Sequence, residues 1–137
     1  MRKKIVEKAR EYLGTPFHHQ GRLKGIGIDC IGLLSCVAHE LGIFTKDNTN
    51  YSKHPDGKSL MNELNKYLDE IPSNTMNIGD ILVFAISKRT KYPQHIGFVT
   101  DYGMIHTYQG SGEVVEHVLD DKWKKRICGC FKFRNLN

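Results

Sequence analysis

Gly27-Ile28-Asp29-Cys30-Ile31-Gly32-Leu33-Leu34 sets a single cysteine where a glycine-bearing loop passes into an apolar helical run. A thiol at a helix N-terminus is placed to become a nucleophile, because first-turn amides and the helix dipole favour thiolate over a thiol whose free pKa is about 8.5. Asp29 reads as the N-cap, its carboxylate accepting from amides of the first turn. That negative charge opposes the thiolate, so the cysteine needs a basic partner from elsewhere in the chain. A free cysteine is most often a small buried hydrophobe. Here Gly25, Gly27 and Gly32 flank the thiol with residues that lack a side chain, and the expectation is close approach by a substrate main chain.

The chain has 137 residues, 39% of them hydrophobic, which suits one compact domain over residues 1–137 with a single core. A net charge of +5 favours anionic partners without identifying them. The basic run Lys122, Lys124, Lys125 and Arg126 belongs to no recognised nucleic-acid motif and reads as a solvated face, so no nucleic-acid partner is expected. Met1-Arg2-Lys3-Lys4 is not followed by an apolar core segment, so no signal peptide is expected and synthesis is placed in the cytoplasm. No stretch is apolar and long enough for membrane insertion. Cys30 and Cys36 point to different faces of one helix, and Cys128 and Cys130 do not have the spacing of a zinc-ligand pair. Neither a metal nor another cofactor is expected, and Cys36, Cys128 and Cys130 are read as core residues of a protein made in a reducing compartment.

Outward from the cysteine, helical spacing of Ile5, Val6, Ala9, Tyr12 and Leu13 predicts a helix over 3–13, ended at Gly14-Thr15-Pro16. The cysteine helix runs over 30–41 and stops at Gly42, and residues 43–58 read as a polar loop. A short helix follows through Leu60, Met61, Leu64 and Leu68, with Ser59 as its N-cap. From residue 77 the pattern changes to strands, over 81–86, 96–100, 104–108, 114–118 and 127–133. N-terminal helices followed by a meander of antiparallel strands define an α+β domain.

The base for Cys30 is sought among seven histidines. His39 lies near the end of the cysteine helix and suits its C-terminal carbonyls, and His54 falls in the polar loop. His95 and His106 fall on neighbouring strands. A two-residue turn at Tyr102-Gly103 puts them on one sheet face but four residues out of line, roughly 13 Å at the usual strand rise. The catalytic reading requires a register shift that brings His95 opposite His106, with Gly97, which lacks a side chain, leaving open space on the active face. His95 is then the base, His106 fixes its tautomer, and the Cys30 amide is an oxyanion donor.

Gly14-Thr15-Pro16-Phe17-His18-His19-Gln20, Asp29-Cys30-Ile31-Gly32-Leu33, Gly79-Asp80-Ile81-Leu82, His95-Ile96-Gly97 and Ile105-His106 resemble, in order, the motifs of the NlpC/P60 cysteine peptidases, and the phage-associated branch most closely. The resemblance runs almost end to end. It implies a papain-like α+β fold, with the nucleophile at a helix N-terminus packed on an antiparallel sheet. It also implies hydrolysis of peptidoglycan stem peptides, typically between γ-D-glutamate and a diamino acid. By resemblance Cys30 is the nucleophile, His95 the base and His106 the third polar residue. Many relatives carry a tyrosine near position 17, where this chain has Phe17 without the hydroxyl; His19 and Gln20 are then candidates at the substrate site. Arg22 and Lys24 flank the approach to Cys30 and are candidates for a substrate carboxylate, against the plainer reading of two solvated loop charges. Branch relatives suggest phage tail proteins as partners and the virion tail as the location; export by a non-classical route suits a secreted antibacterial amidase equally. An acyltransferase on the same fold and an inactive tail adaptor are the other readings.

Overall fold

The computed structural model describes residues 1–43, 57–86 and 92–136. Helix α1 (Arg2–Arg10) buries Ile5, Val6 and Ala9, the stripe that the apolar spacing marks. The chain leaves it through Gly14, whose φ of +84° is left-handed. Two short strands not anticipated in the glycine-rich loop, β1 (Arg22–Leu23) and β2 (Gly27–Ile28), form an antiparallel hairpin. The fully buried Ile28 is fastened by its amide to Pro16 O and by its carbonyl to the His18 amide. Helix α2 (Cys30–Glu40) follows directly and buries Gly32, Leu33, Leu34, Val37 and Ala38.

Helix α3 (Gly57–Tyr67) begins two residues before Ser59, so Ser59 sits inside its first turn and is not the N-cap. The helix also ends sooner than its apolar spacing suggests. Leu68 opens strand β3 (Leu68–Glu70), where it pairs with Phe133, so sheet pairing overrides helical periodicity. A 3₁₀ turn at Ser73–Thr75 leads to β4 (Ile81–Phe84). Strands β5 (His95–Val99), β6 (Met104–His106) and β7 (Val115–His117) continue the meander. Then α4 (Asp121–Lys124), a single turn capped by Asp120 accepting from the Trp123 amide, turns the chain into β8 (Ile127–Phe133). The sheet order is β3-β8-β4-β5-β6-β7 and every pairing is antiparallel.

Strand β4 is buried at all four positions because the sheet is covered on both faces. Ile81 and Val83 join α1, α2 and α3 in the larger cluster with Ile96, Phe98, Ile105, Phe131 and Phe133. Leu82 and Phe84 join the smaller cluster on the other face with Val99, Met104, Cys130 and Trp123. The turn entering β4 is tied to α1 by Arg2, which donates to the Ile78 carbonyl and, at 2.6 Å, to the fully buried Asp80 carboxylate.

The cysteines away from the helix start are not all core residues. Cys130 is buried and Cys36 is half-buried, its thiol donating to Arg22 O, but Cys128 is exposed. The reason is a β-bulge: Val83 pairs with Gly129 and Phe84 with Ile127, which leaves Cys128 as the extra residue, turned outward.

A Cβ placed on Gly32 would lie 2.2 Å from Gly21 O and 2.9 Å from the Arg22 guanidinium. Helix propensity favours Ala over Gly by about 1 kcal/mol, whereas a clash with fixed backbone costs about 1–3 kcal/mol or more. The clash wins. Gly32→Ala is expected to lower the thermal unfolding midpoint by roughly 3–10 °C; an unchanged or raised midpoint in a calorimetric scan contradicts this packing.

Candidate active site

The residues before Cys30 are held by one carboxylate. Asp29, only 4% exposed, accepts from the Gly32 amide at 2.8 Å, from the Gln20 amide at 2.8 Å and from Arg22 at 3.1 Å. It is the helix cap that the sequence suggests, and it also binds the loop over 18–22 to the helix. Gln20 takes a left-handed φ of +61° there. The backbone amides of Ile96, the residue after His95, of Ile31 and of Cys30 itself face the sulfur and favour its thiolate. A small crevice beside it is lined by Leu33, Leu34, Ile96, Gly97 and Phe98.

The expected thiolate is not what this setting favours. Burial foremost, and the charge of Asp29 next, push the Cys30 thiol up to about 12, outweighing the three amides that act in the opposite direction. The helix terminus supplies its donors, but the N-cap carboxylate and the apolar surroundings win.

Strands β5 and β6 pair Phe98 with Ile105 and Val99 with Met104, across the loop Thr100–Gly103. Thr100 donates from its amide to Gly103 O, and its Oγ1 accepts from the Tyr102 and Gly103 amides, so the two-residue turn sits at Asp101-Tyr102, one residue earlier than the Tyr102-Gly103 expected. Continued, the register sets Gly97 opposite His106 and leaves His95 diagonal to it, half of the anticipated shift. The diagonal suffices: His95 Nε2 and His106 Nδ1 are 2.7 Å apart. Gly97 is not open space, since a Cβ there would lie 3.1 Å from His106 Cβ and 3.2 Å from the Met104 methyl.

The chain of rings continues to a residue that the sequence reading passed over. His106 Nε2 lies 2.7 Å from His117 Nε2, and His117 Nδ1 donates to Val118 O at 2.8 Å. Strands β6 and β7 pair His106 with Val115, so His117 is again the diagonal neighbour. His95, His106 and His117 are spaced by eleven residues each, and that repeat across a meander was the available signal. Trp123 on α4 lies against all three rings, and Tyr108 stacks on His106 at an interplanar angle of 18°. Burial lowers His95 well below the usual histidine range, assisted by His106 and by the Arg126 charge. Burial and then His117 lower His106 to about 3. Both rings are neutral at pH 7.

Other candidates fall elsewhere. Arg22 is engaged with Asp29 and the Gly21 carbonyl. Lys24 pairs with Glu11 at 3.0 Å and lies 4.8 Å above the Tyr12 ring. Both cations face the protein's own carboxylates, Asp29 and Glu11. The glycines are likewise occupied: Gly32 meets the Gly21 carbonyl and Gly27 meets His18 Cβ, so they admit the chain's own loop to the helix start. Phe17 is half-buried, bridged to Ile28 and bonded through its amide to Gly112 O. His19 is half-buried and Gln20 contributes its amide to Asp29. His39 is exposed at the end of α2, and His54 lies outside the described residues. Among the described residues no group of three or more His, Cys, Asp or Glu is arranged to hold a metal ion.

Neutral buried histidines make stability depend on pH. Their folded pKa values lie below the unfolded one near 6.5, so the unfolded chain binds more protons as pH falls. The stabilisation is full above pH 6.5 and is lost progressively toward pH 3. Urea unfolding is expected to show stability falling from pH 6.5 to 5 by about 1.4 kcal/mol per pH unit for each of the two rings. A flat profile over that interval contradicts the neutral assignment.

Comparison with known proteins places the chain. Over 134 residues it is 23% identical to the gamma-DL-glutamyl hydrolase of Bacillus subtilis, covering 96% of this chain and 29% of that protein. The crystal structure of the NlpC/p60 domain of the peptidoglycan hydrolase SagA superposes with a TM-score of 0.64 at 20% identity, covering 97% of this chain and 99% of that one. An NlpC/P60 family protein from Bacillus cereus superposes with a TM-score of 0.72 at 18% identity, covering 97% of this chain and 40% of that one. These structures share the α+β fold of N-terminal helices on an antiparallel sheet. The sequence profile of the NlpC/P60 family matches residues 14–132, and the chain belongs to that family.

Proposed function

We propose that this protein is a cysteine peptidase that hydrolyses amide bonds in the stem peptides of bacterial peptidoglycan, at the bond between γ-D-glutamate and a diamino acid. The observation that carries the reading is the pair of rings at the head of β5: His95 Nε2 and His106 Nδ1 lie 2.7 Å apart, and the amide next to His95 faces the sulfur of Cys30. The name of the Bacillus subtilis relative, a gamma-DL-glutamyl hydrolase, supports the glutamyl side of that choice.

In this reading the resting pair is thiol and neutral imidazole. His95 Nδ1, the ring nitrogen not committed to His106, takes the thiol proton as the sulfur attacks the amide carbon. The oxyanion of the tetrahedral intermediate is received by the Cys30 amide at the start of α2, without help from a hydroxyl at Phe17. Collapse breaks the C–N bond. His95 returns its proton to the leaving amine, and a thioester to Cys30 remains. Water, deprotonated by the same nitrogen, then releases the carboxylic acid and restores the thiol. Members of the phage-associated branch carry similar motifs, which supports a setting in local wall penetration by a tail.

Cys30→Ala is expected to reduce release of peptides from purified peptidoglycan by at least about 10³-fold, as loss of a covalent nucleophile does. Its unfolding midpoint should stay near that of the parent. Release at the parent rate, followed by mass analysis of the products, excludes Cys30 as the nucleophile.

A further inference from the structure

The geometry points to His117 as a positioning residue: through His106 it holds His95 in the tautomer whose free nitrogen is Nδ1. The inference rests on the reading of Cys30 as nucleophile and His95 as base.

A carbonyl oxygen has no proton to give, so the 2.8 Å contact to Val118 O requires a His117 ring with a single proton to carry it on Nδ1. Its Nε2 is then a lone pair, and the 2.7 Å contact requires His106 to donate from Nε2. Neutral His106 is left with a lone pair on Nδ1, and the next 2.7 Å contact requires His95 to donate from Nε2. One backbone carbonyl thus sets the direction of three successive hydrogen bonds. His106 alone does not set it, since a neutral imidazole serves equally well with its proton on either nitrogen. Were the chain reversed, His95 would carry its proton on Nδ1 and have no lone pair with which to receive one from Cys30. The groups around the chain leave this direction to His117. Tyr108 and Trp123 present ring faces or edges to His106, and Arg126 lies over Trp123 with its guanidinium 4.7 Å from the ring.

The hydrogen-bonding sense at position 117 is therefore the quantity to vary, at nearly constant side-chain size. His117→Gln offers an amide oxygen that accepts from His106 Nε2, His117→Met offers no comparable acceptor, and His117→Lys offers only donors. The substrate is a synthetic γ-D-glutamyl-diamino acid peptide, and each rate is referred to the folded fraction measured by circular dichroism. Expected are kcat within about 3-fold of the parent for Gln, a loss of about 10–100-fold for Met and a larger loss for Lys, with KM altered little throughout. If Lys does not fold, the Gln and Met pair carries the same comparison. Equal kcat across the folded variants, whether all high or all low, overturns the positioning role. Full activity in Cys30→Ala instead overturns the reading on which it rests, so the two failures are distinct.

Discussion

A single buried carboxylate organises the approach to the Cys30 thiol. Asp29 satisfies the first turn of α2 through Gly32, fixes the left-handed Gln20 through its amide and takes the charge of Arg22. Three donors from two pieces of chain, the loop over 18–22 and the first turn of α2, converge on two oxygens. The stacking of Gly21 against Gly32 and of His18 against Gly27 is what that convergence requires, because side chains there would occupy the space of the loop. With the loop fixed, α2 starts where its first side chain meets the head of β5, and Cys30 reaches the Ile96 amide. The arrangement has an electrostatic consequence: the charge that caps the helix also disfavours a thiolate one residue away.

The site answers that consequence with neutral chemistry. A thiol pushed up by burial and a histidine pushed down by burial do not form a resting ion pair; in the proposed mechanism proton transfer accompanies attack. Such a base needs its lone pair on the correct nitrogen more than it needs a high pKa. The aromatic enclosure of Phe84, Tyr108 and Trp123 keeps the rings dry and oriented. The diagonal offsets across β5, β6 and β7 bring each ring to its neighbour. The sheet register and the tautomers are thus parts of one arrangement.

The sequence made legible what depends on local patterning. The cap at Asp29, the apolar stripe of α1, the start of α2 and the shared face of His95 and His106 follow from spacing and parity alone. What it left obscure depends on contacts between distant segments. Leu68 looks helical until Phe133 pairs with it. Arg22 and Lys24 look like solvated or substrate-facing cations until Asp29 and Glu11 come within reach. Cys128 looks like a core residue because a bulge of one residue in β8 leaves no mark on composition. His117 lay in an anticipated strand, and only the pairing of β6 with β7 turns its position into a contact with His106.

The most direct test of a neutral, one-directional histidine chain is ¹⁵N NMR of the imidazole nitrogens in uniformly labelled protein at pH 7.5, with assignments from single histidine replacements. The expected result is two neutral rings protonated at Nε2, His95 and His106, with the proton of His117 that faces Val118 O on Nδ1. A proton on His95 Nδ1, or an imidazolium at His95 paired with a Cys30 thiolate, would contradict it.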